Sequence, residues 1–182
     1  EAYNNMGVAL KDKGDLESAI ESYRQVLKIK PNYPVAYNNM GNALMDKGDL
    51  ELAIDSYKQA LQIKPNYLEA HHNMGIALRG VKFTQPKPGL MEVIISILEQ
   101  RAACRPKDIA PAAISLLKLE PILIELLEKN SLGSLMQSLQ ETISTIAELP
   151  LLLKLMSVCP IVDLGLEIIL VDIRQALLSS VD

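Results

Sequence analysis

The chain repeats itself at a fixed distance. Ala2–Tyr33 reads AYNNMGVALKDKGDLESAIESYRQVLKIKPNY, and Ala36–Tyr67 reads AYNNMGNALMDKGDLELAIDSYKQALQIKPNY, an offset of 34 residues. Seven of the 32 aligned positions differ. A third copy opens at Ala70 as AHHNMGIAL, keeps six of those nine residues, and departs after Leu78. A unit this short cannot enclose a core of its own. It becomes stable by stacking on neighbouring copies, so the chain folds as a linear array rather than a globule with distant strand pairing.

Within each unit the punctuation is helical. The pattern predicts helix A of repeat 1 over Ala2–Lys13, a turn at Gly14-Asp15, and helix B over Leu16–Lys30. Asp15 is the N-cap candidate, because a carboxylate accepts from the free first-turn amides. Pro31 stops helix B, since proline has no N–H and its ring clashes within a helix interior. Repeat 2 carries the same signals at Gly48-Asp49, Leu50 and Pro65. Gly7, Gly41 and Gly75, with Ala19 and Ala53, are read as points of close approach between neighbouring backbones. Met6, Leu10, Ile20, Tyr23 and Leu27, then Met40, Leu44, Ile54, Tyr57 and Leu61, are read as core.

These residues resemble the tetratricopeptide repeat (TPR) family. Its small, aromatic and proline positions fall on Gly7, Ala19, Tyr23 and Pro31, and again on Gly41, Ala53, Tyr57 and Pro65. The repeats also resemble in wording those of O-linked N-acetylglucosamine transferases. The resemblance covers residues 1–79 and implies an all-α helix-turn-helix solenoid of two full repeats plus one helix. It implies a non-enzymatic, protein-binding scaffold whose helix A faces line a concave groove. The third unit departs from the pattern: Phe83-Thr84-Gln85-Pro86-Lys87-Pro88-Gly89 reads as a loop where helix B would begin.

Asn5, Asn39 and Asn73 precede each Met-Gly pair and repeat at the same interval, so they form a ladder candidate. An amide offers two donors and an acceptor carbonyl, which suits the backbone of an extended peptide. It resembles the asparagine ladder of the transferase repeats named above. The same side chains could instead bond within or between helices. At about 1 kcal/mol net per bond, three rungs alone give binding weaker than millimolar. Further groove positions implied by the family are Asn4, Val8, Lys11 and Asp12, then Asn38, Asn42, Met45 and Asp46, then His72, Ile76 and Arg79. Of these, Asn38, Asn42 and His72 join the ladder as peptide-binding candidates. Asn4, Val8, Glu69 and Asn73 stand where other TPR domains place a carboxylate clamp, which argues against a chaperone-tail partner.

The second half differs in composition. All six tyrosines lie between Tyr3 and Tyr67, and Phe83 is the only later aromatic. Residues 1–82 balance ten basic against ten acidic side chains, whereas 83–182 carry eight against twelve, so the net charge of −4 sits there. We place a linker at residues 80–89 and a leucine-rich helical domain at 90–182, capping or extending the solenoid. Its expected helices are Leu90–Ala103, Ala110–Leu119, Ile122–Lys129, Leu132–Ala147 with Ser131 as cap, Leu151–Ser157 and Ile161–Ser179. The last is apolar over most of its surface, which fits either a buried central helix or an interface, including self-association. "RPKDIAPAAISLLKLEP" and "LPLLLKLMSVCP" resemble segments that follow TPRs in marine bacterial proteins with a downstream methyltransferase domain. The alternative function is therefore a regulatory or substrate-delivery segment of a larger transferase, methyltransferase or glycosyltransferase, whose catalytic domain would lie downstream.

Several classes fall away. No clustered Lys and Arg face suggests nucleic acid. The most apolar stretch, Leu149–Val171, is broken by Pro150, Lys154, Pro160, Asp163 and Glu167, so no membrane span is expected. No catalytic motif or cofactor loop is visible. His71-His72 invites a metal, but adjacent helical residues diverge, and zinc needs three or four converging ligands. Cys104 and Cys159 read as buried free thiols of a cytoplasmic protein, with a disulfide as the lesser alternative. The start within a repeat reads as a fragment with upstream repeats.

Overall fold

The structure, a computed structural model, describes residues 2–100, 104–131, 139–160, 163–168 and 170–171. Among them all regular structure is helical. Helices α1 (Ala2–Asp12) and α2 (Leu16–Ile29) form the first pair, and α3 (Pro34–Lys47) and α4 (Leu50–Ile63) the second. Helix α5 (Leu68–Ala77) stands alone, as the third copy's truncation predicts.

Each turn between paired helices is made by a glycine in the left-handed region, Gly14 at φ +82° and Gly48 at φ +93°. That conformation is strained for a residue with a Cβ. Asp15 caps α2, its Oδ1 accepting from Ser18 N at 3.2 Å. Asp49 does not repeat this: no side-chain cap bond forms on α4, and its carboxylate pairs with Lys47 at 3.5 Å. Lys30 lies over the Tyr33 ring and Lys64 over the Tyr67 ring, each 4.8 Å from the centroid. Both contacts secure the bend after helix B.

The core runs through both halves. Ala19, Tyr23, Ala43, Ala53, Tyr57 and Met74 join Ile94, Ile97, Leu116 and Leu155 in one buried cluster. Helices pack in sequence, α1 on α2, α2 on α3, α3 on α4 and α4 on α5. The glycines play a different part from the one expected. A Cβ on Gly7 would lie 2.6 Å from the Tyr23 ring, and one on Gly41 would lie 2.5 Å from the Tyr57 ring. They make room for aromatic rings rather than for neighbouring backbones. In the third unit Cys104 takes the tyrosine's place, its Cβ 2.8 Å from where a Gly75 Cβ would stand. Met6 departs from the core expectation. It is exposed, because no described helix packs ahead of α1, whereas Met74 is fully buried.

Where the third helix B would stand, residues 81–89 form a loop leading to α6 (Leu90–Glu99). Lys87 pins this loop to α4 through Glu51 at 2.9 Å, and Lys58 donates to the Pro88 carbonyl at 3.3 Å. Helix α6 packs on α4 and on α7 (Pro106–Leu117) and α10 (Pro150–Val158). Helices α8 (Pro121–Ser131) and α9 (Leu139–Ala147) pack on each other. Pro106, Pro121 and Pro150 start α7, α8 and α10, each at the first helical position. The missing N–H costs nothing there, and the fixed φ suits a helix. Helix α8 runs to Ser131, and the expected cap there lies outside the described side chains. Of the helices expected from sequence, residues 101–103, 132–138 and most of 161–179 lie outside the described ones, while 164–168 is helical. Cys104 and Cys159 are half-buried free thiols.

Candidate functional site

Helices α1, α3 and α5 lie side by side, so the repeated amides meet across repeat boundaries. Asn39 Nδ2 donates to Asn4 Oδ1 at 3.3 Å. One repeat further on, Asn73 Nδ2 donates to Asn38 Oδ1 at 3.1 Å, and also to Asn42 Oδ1 at 3.0 Å. Asn38 Nδ2 in turn donates to Glu69 Oε1 at 3.1 Å, and Tyr57 Oη donates to Asn42 Oδ1 at 2.7 Å. The asparagines therefore form a relay between repeats.

An amide has two donor hydrogens and one acceptor oxygen, so the bonds made decide what remains. Asn5 is exposed, and its amide makes no hydrogen bond to another side chain among the described residues. Asn39 is half-buried and has one N–H committed, leaving the other N–H and its carbonyl. Asn73 has two acceptors for its amino group, leaving its carbonyl. Asn42 has its oxygen committed and its NH2 open. Asn38 corrects the expectation of a groove contact. It is 0% exposed, enclosed by the next repeat, and acts as a tie within the stack. His72 is exposed on the same helix as Asn73.

Charges along this face are largely spent on one another. Lys11 bridges to Asp46 of the next repeat at 3.5 Å, and Arg79 bridges to Asp108 of α7 at 3.3 Å. His71 is fully buried, with Nε2 2.7 Å from the Pro65 carbonyl and Nδ1 without a partner. One imidazole is thus sealed in and its neighbour His72 faces out, so the two do not share a site. Among the described residues no group of three or more His, Cys, Asp and Glu side chains converges.

The two helix B tyrosines occupy unlike surroundings despite matching sequence. Both rings are fully buried. Tyr57 has Asn42 as acceptor, while Tyr23 Oη is buried with no partner, because Val8 stands where repeat 2 has Asn42. Burial, helped by Asp12, pushes the Tyr23 phenol up to about 12. Burial also raises that of Tyr57, with smaller contributions from Asp46 and Glu69. Burial is the main cause holding the Cys104 thiol up; Asp108 adds to it and Arg79 opposes it.

The relay was open to sequence reasoning. The doublets Asn4-Asn5 and Asn38-Asn39, followed by His72-Asn73, set one amide of each pair 35 residues from the next. The Tyr57–Asn42 bond and the seat of Cys104 against Gly75 had no comparable local signal.

Residues 7–48 and 41–79 match the family model described as TPR repeat. No curated protein matches the chain. Among solved structures, the chain is similar to the crystal structure of MamA at 17% identity and a TM-score of 0.40, covering 83% of this chain and 92% of that one. It is also similar to a thermophilic TPR protein in Thermus thermophilus, at 20% identity and a TM-score of 0.43, covering 97% and 98%.

Proposed function

With residues 7–79 built of tetratricopeptide repeats, we propose that this chain is an interaction module that holds an extended peptide or a partner's loop against α1, α3 and α5. The observation that carries this reading is the residual hydrogen-bonding capacity at equivalent places in successive repeats. Asn5 is open, Asn39 keeps one N–H and its carbonyl, Asn42 keeps its NH2, and Asn73 keeps its carbonyl. These alternate donors and acceptors along one face, as a peptide backbone does. His72 flanks the far end. Asn38 holds the face in shape from behind.

Such a surface reads backbone more than side chains. The internal pairing of Lys11 and Arg79 leaves little net charge to select an acidic partner. The amides are already fixed by their bonds to one another, which lowers the ordering cost that binding would otherwise incur.

A peptide array tests the reading. Wild type is compared with Asn5→Ala/Asn39→Ala, and with Asn66→Ala in the exposed turn after α4 as a control, after matching their circular dichroism. Loss of peptide binding in the double variant with retention in the control supports the proposal. Equal binding by wild type and the double variant refutes it.

A further inference from the structure

A cavity lies away from the amide face. It measures about 400 Å3 and follows one side of α7, where Lys107, Ala110, Pro111, Ile114, Ser115 and Lys118 recur at helical spacing. Lys82 and Pro160 wall it, and Asp163 closes one end by pairing with Lys118. Its floor is apolar, with Ala110 and Ile114 each 7% exposed. The volume is within the range of small-molecule sites.

Its charge runs against its surroundings. This half of the chain carries the acidic excess, yet among the described residues three lysines and a single carboxylate line this cavity. Lys118 is satisfied by Asp163. Lys82 and Lys107 have no ion-pair partner among the described residues. Unpaired cations lining a cleft attract anions into it.

The two free lysines sit apart. Lys107 is in the first turn of α7. Lys82 precedes Phe83, whose N–H donates to Ser115 Oγ at 2.9 Å and whose ring is buried. The Lys82 backbone is therefore anchored beside Ser115, eight residues along the helix from Lys107. At the helical rise that is about 12 Å. The Ser115 hydroxyl is itself fixed by donating to the Ala112 carbonyl at 2.7 Å.

We infer that this cleft is a binding site for a linear organic dianion with an apolar middle, of the α,ω-dicarboxylate class. One carboxylate meets Lys107, the other meets Lys82, and the methylene chain lies on Ala110, Pro111 and Ile114. A monoanion satisfies one lysine and leaves the second bare. A short dianion spans less than the ~12 Å between the two backbone anchors.

Calorimetric titration of the whole chain at low salt with dodecanedioate, dodecanoate and succinate tests this. Dodecanedioate is expected to bind about twofold to fivefold more tightly than either of the others, the worth of one exposed charge contact. Lys82→Gln/Lys107→Gln is expected to reduce its affinity by about tenfold or more without moving the melting temperature, since neither lysine holds a structural ion pair. Absence of dodecanedioate binding overturns the site. Equal affinity for dodecanoate overturns the dianion, and unchanged affinity in the double variant overturns the role of the lysines.

Discussion

Removing one oxygen atom at equivalent places in the two repeats should have opposite consequences. Tyr57 Oη donates to Asn42 at 2.7 Å, whereas Tyr23 Oη is buried with no partner. Tyr57→Phe deletes a neutral hydrogen bond, and Asn42 Oδ1 keeps its second donor from Asn73, so the loss is about 1 kcal/mol. Tyr23→Phe deletes a hydroxyl that lost its water on folding and gained nothing. Relief of that desolvation is worth about 1 kcal/mol or somewhat more, offset in part by the small void left behind. The two variants should therefore differ by about 2 kcal/mol in urea denaturation followed by circular dichroism, with Tyr23→Phe the more stable. A third protein sharpens the test. Val8→Asn installs the repeat 2 acceptor in repeat 1, and in that background Tyr23→Phe should become destabilising. The difference between the two backgrounds is the coupling energy of the new pair. Equal losses from Tyr23→Phe and Tyr57→Phe, or no coupling between positions 8 and 23, would refute the reasoning.

Gly41→Ala places a methyl 2.5 Å from the Tyr57 ring, so it should lower stability by about 1–3 kcal/mol in the same urea assay. High pH should also destabilise the chain. The folded-state phenol of Tyr23 is raised to about 12 from an ordinary 10.0, so it is neutral in both states below pH 10, and ionisation of the unfolded chain lowers stability as pH climbs from 10 to 12. An alkaline titration monitored by far-ultraviolet circular dichroism should show this loss, and Tyr23→Phe should shallow it.

The repeats were legible because their signals are local. Gly14, Gly48, Pro31 and Pro65 act on the backbone within a turn of themselves, and the helices end within a residue or two of the places they mark. The prolines of the second half were harder to read. The same residue that stops a helix when it falls inside one starts a helix at its first position, and Pro106, Pro121 and Pro150 do the latter. Pro111 stays within α7, against its usual behaviour. The amide face was legible in its residues and not in its bonds. Asn38 and Asn39 are neighbours of one type, yet one is sealed between repeats and the other half-open. That outcome depends on which side of α3 the next helix covers, a tertiary fact. Cys104 is the extreme case, filling the place of a tyrosine from a point 29 residues beyond Gly75.

The amide relay also has a direction. Asn39 donates back to Asn4 and Asn73 back to Asn38, so each repeat is keyed to the one before it. Apolar contacts between helices tolerate sliding, because burial has no preferred angle. A hydrogen bond does not tolerate it, since its strength falls steeply with misalignment. The amides therefore act as a detent, a notch that stops each unit at one rotation relative to its predecessor. The notch adds to the close packing of rings against glycines in holding the pitch of the stack. Any ligand lying along the array is measured against a ruler whose gradations include Asn38, a side chain with no surface for it to touch.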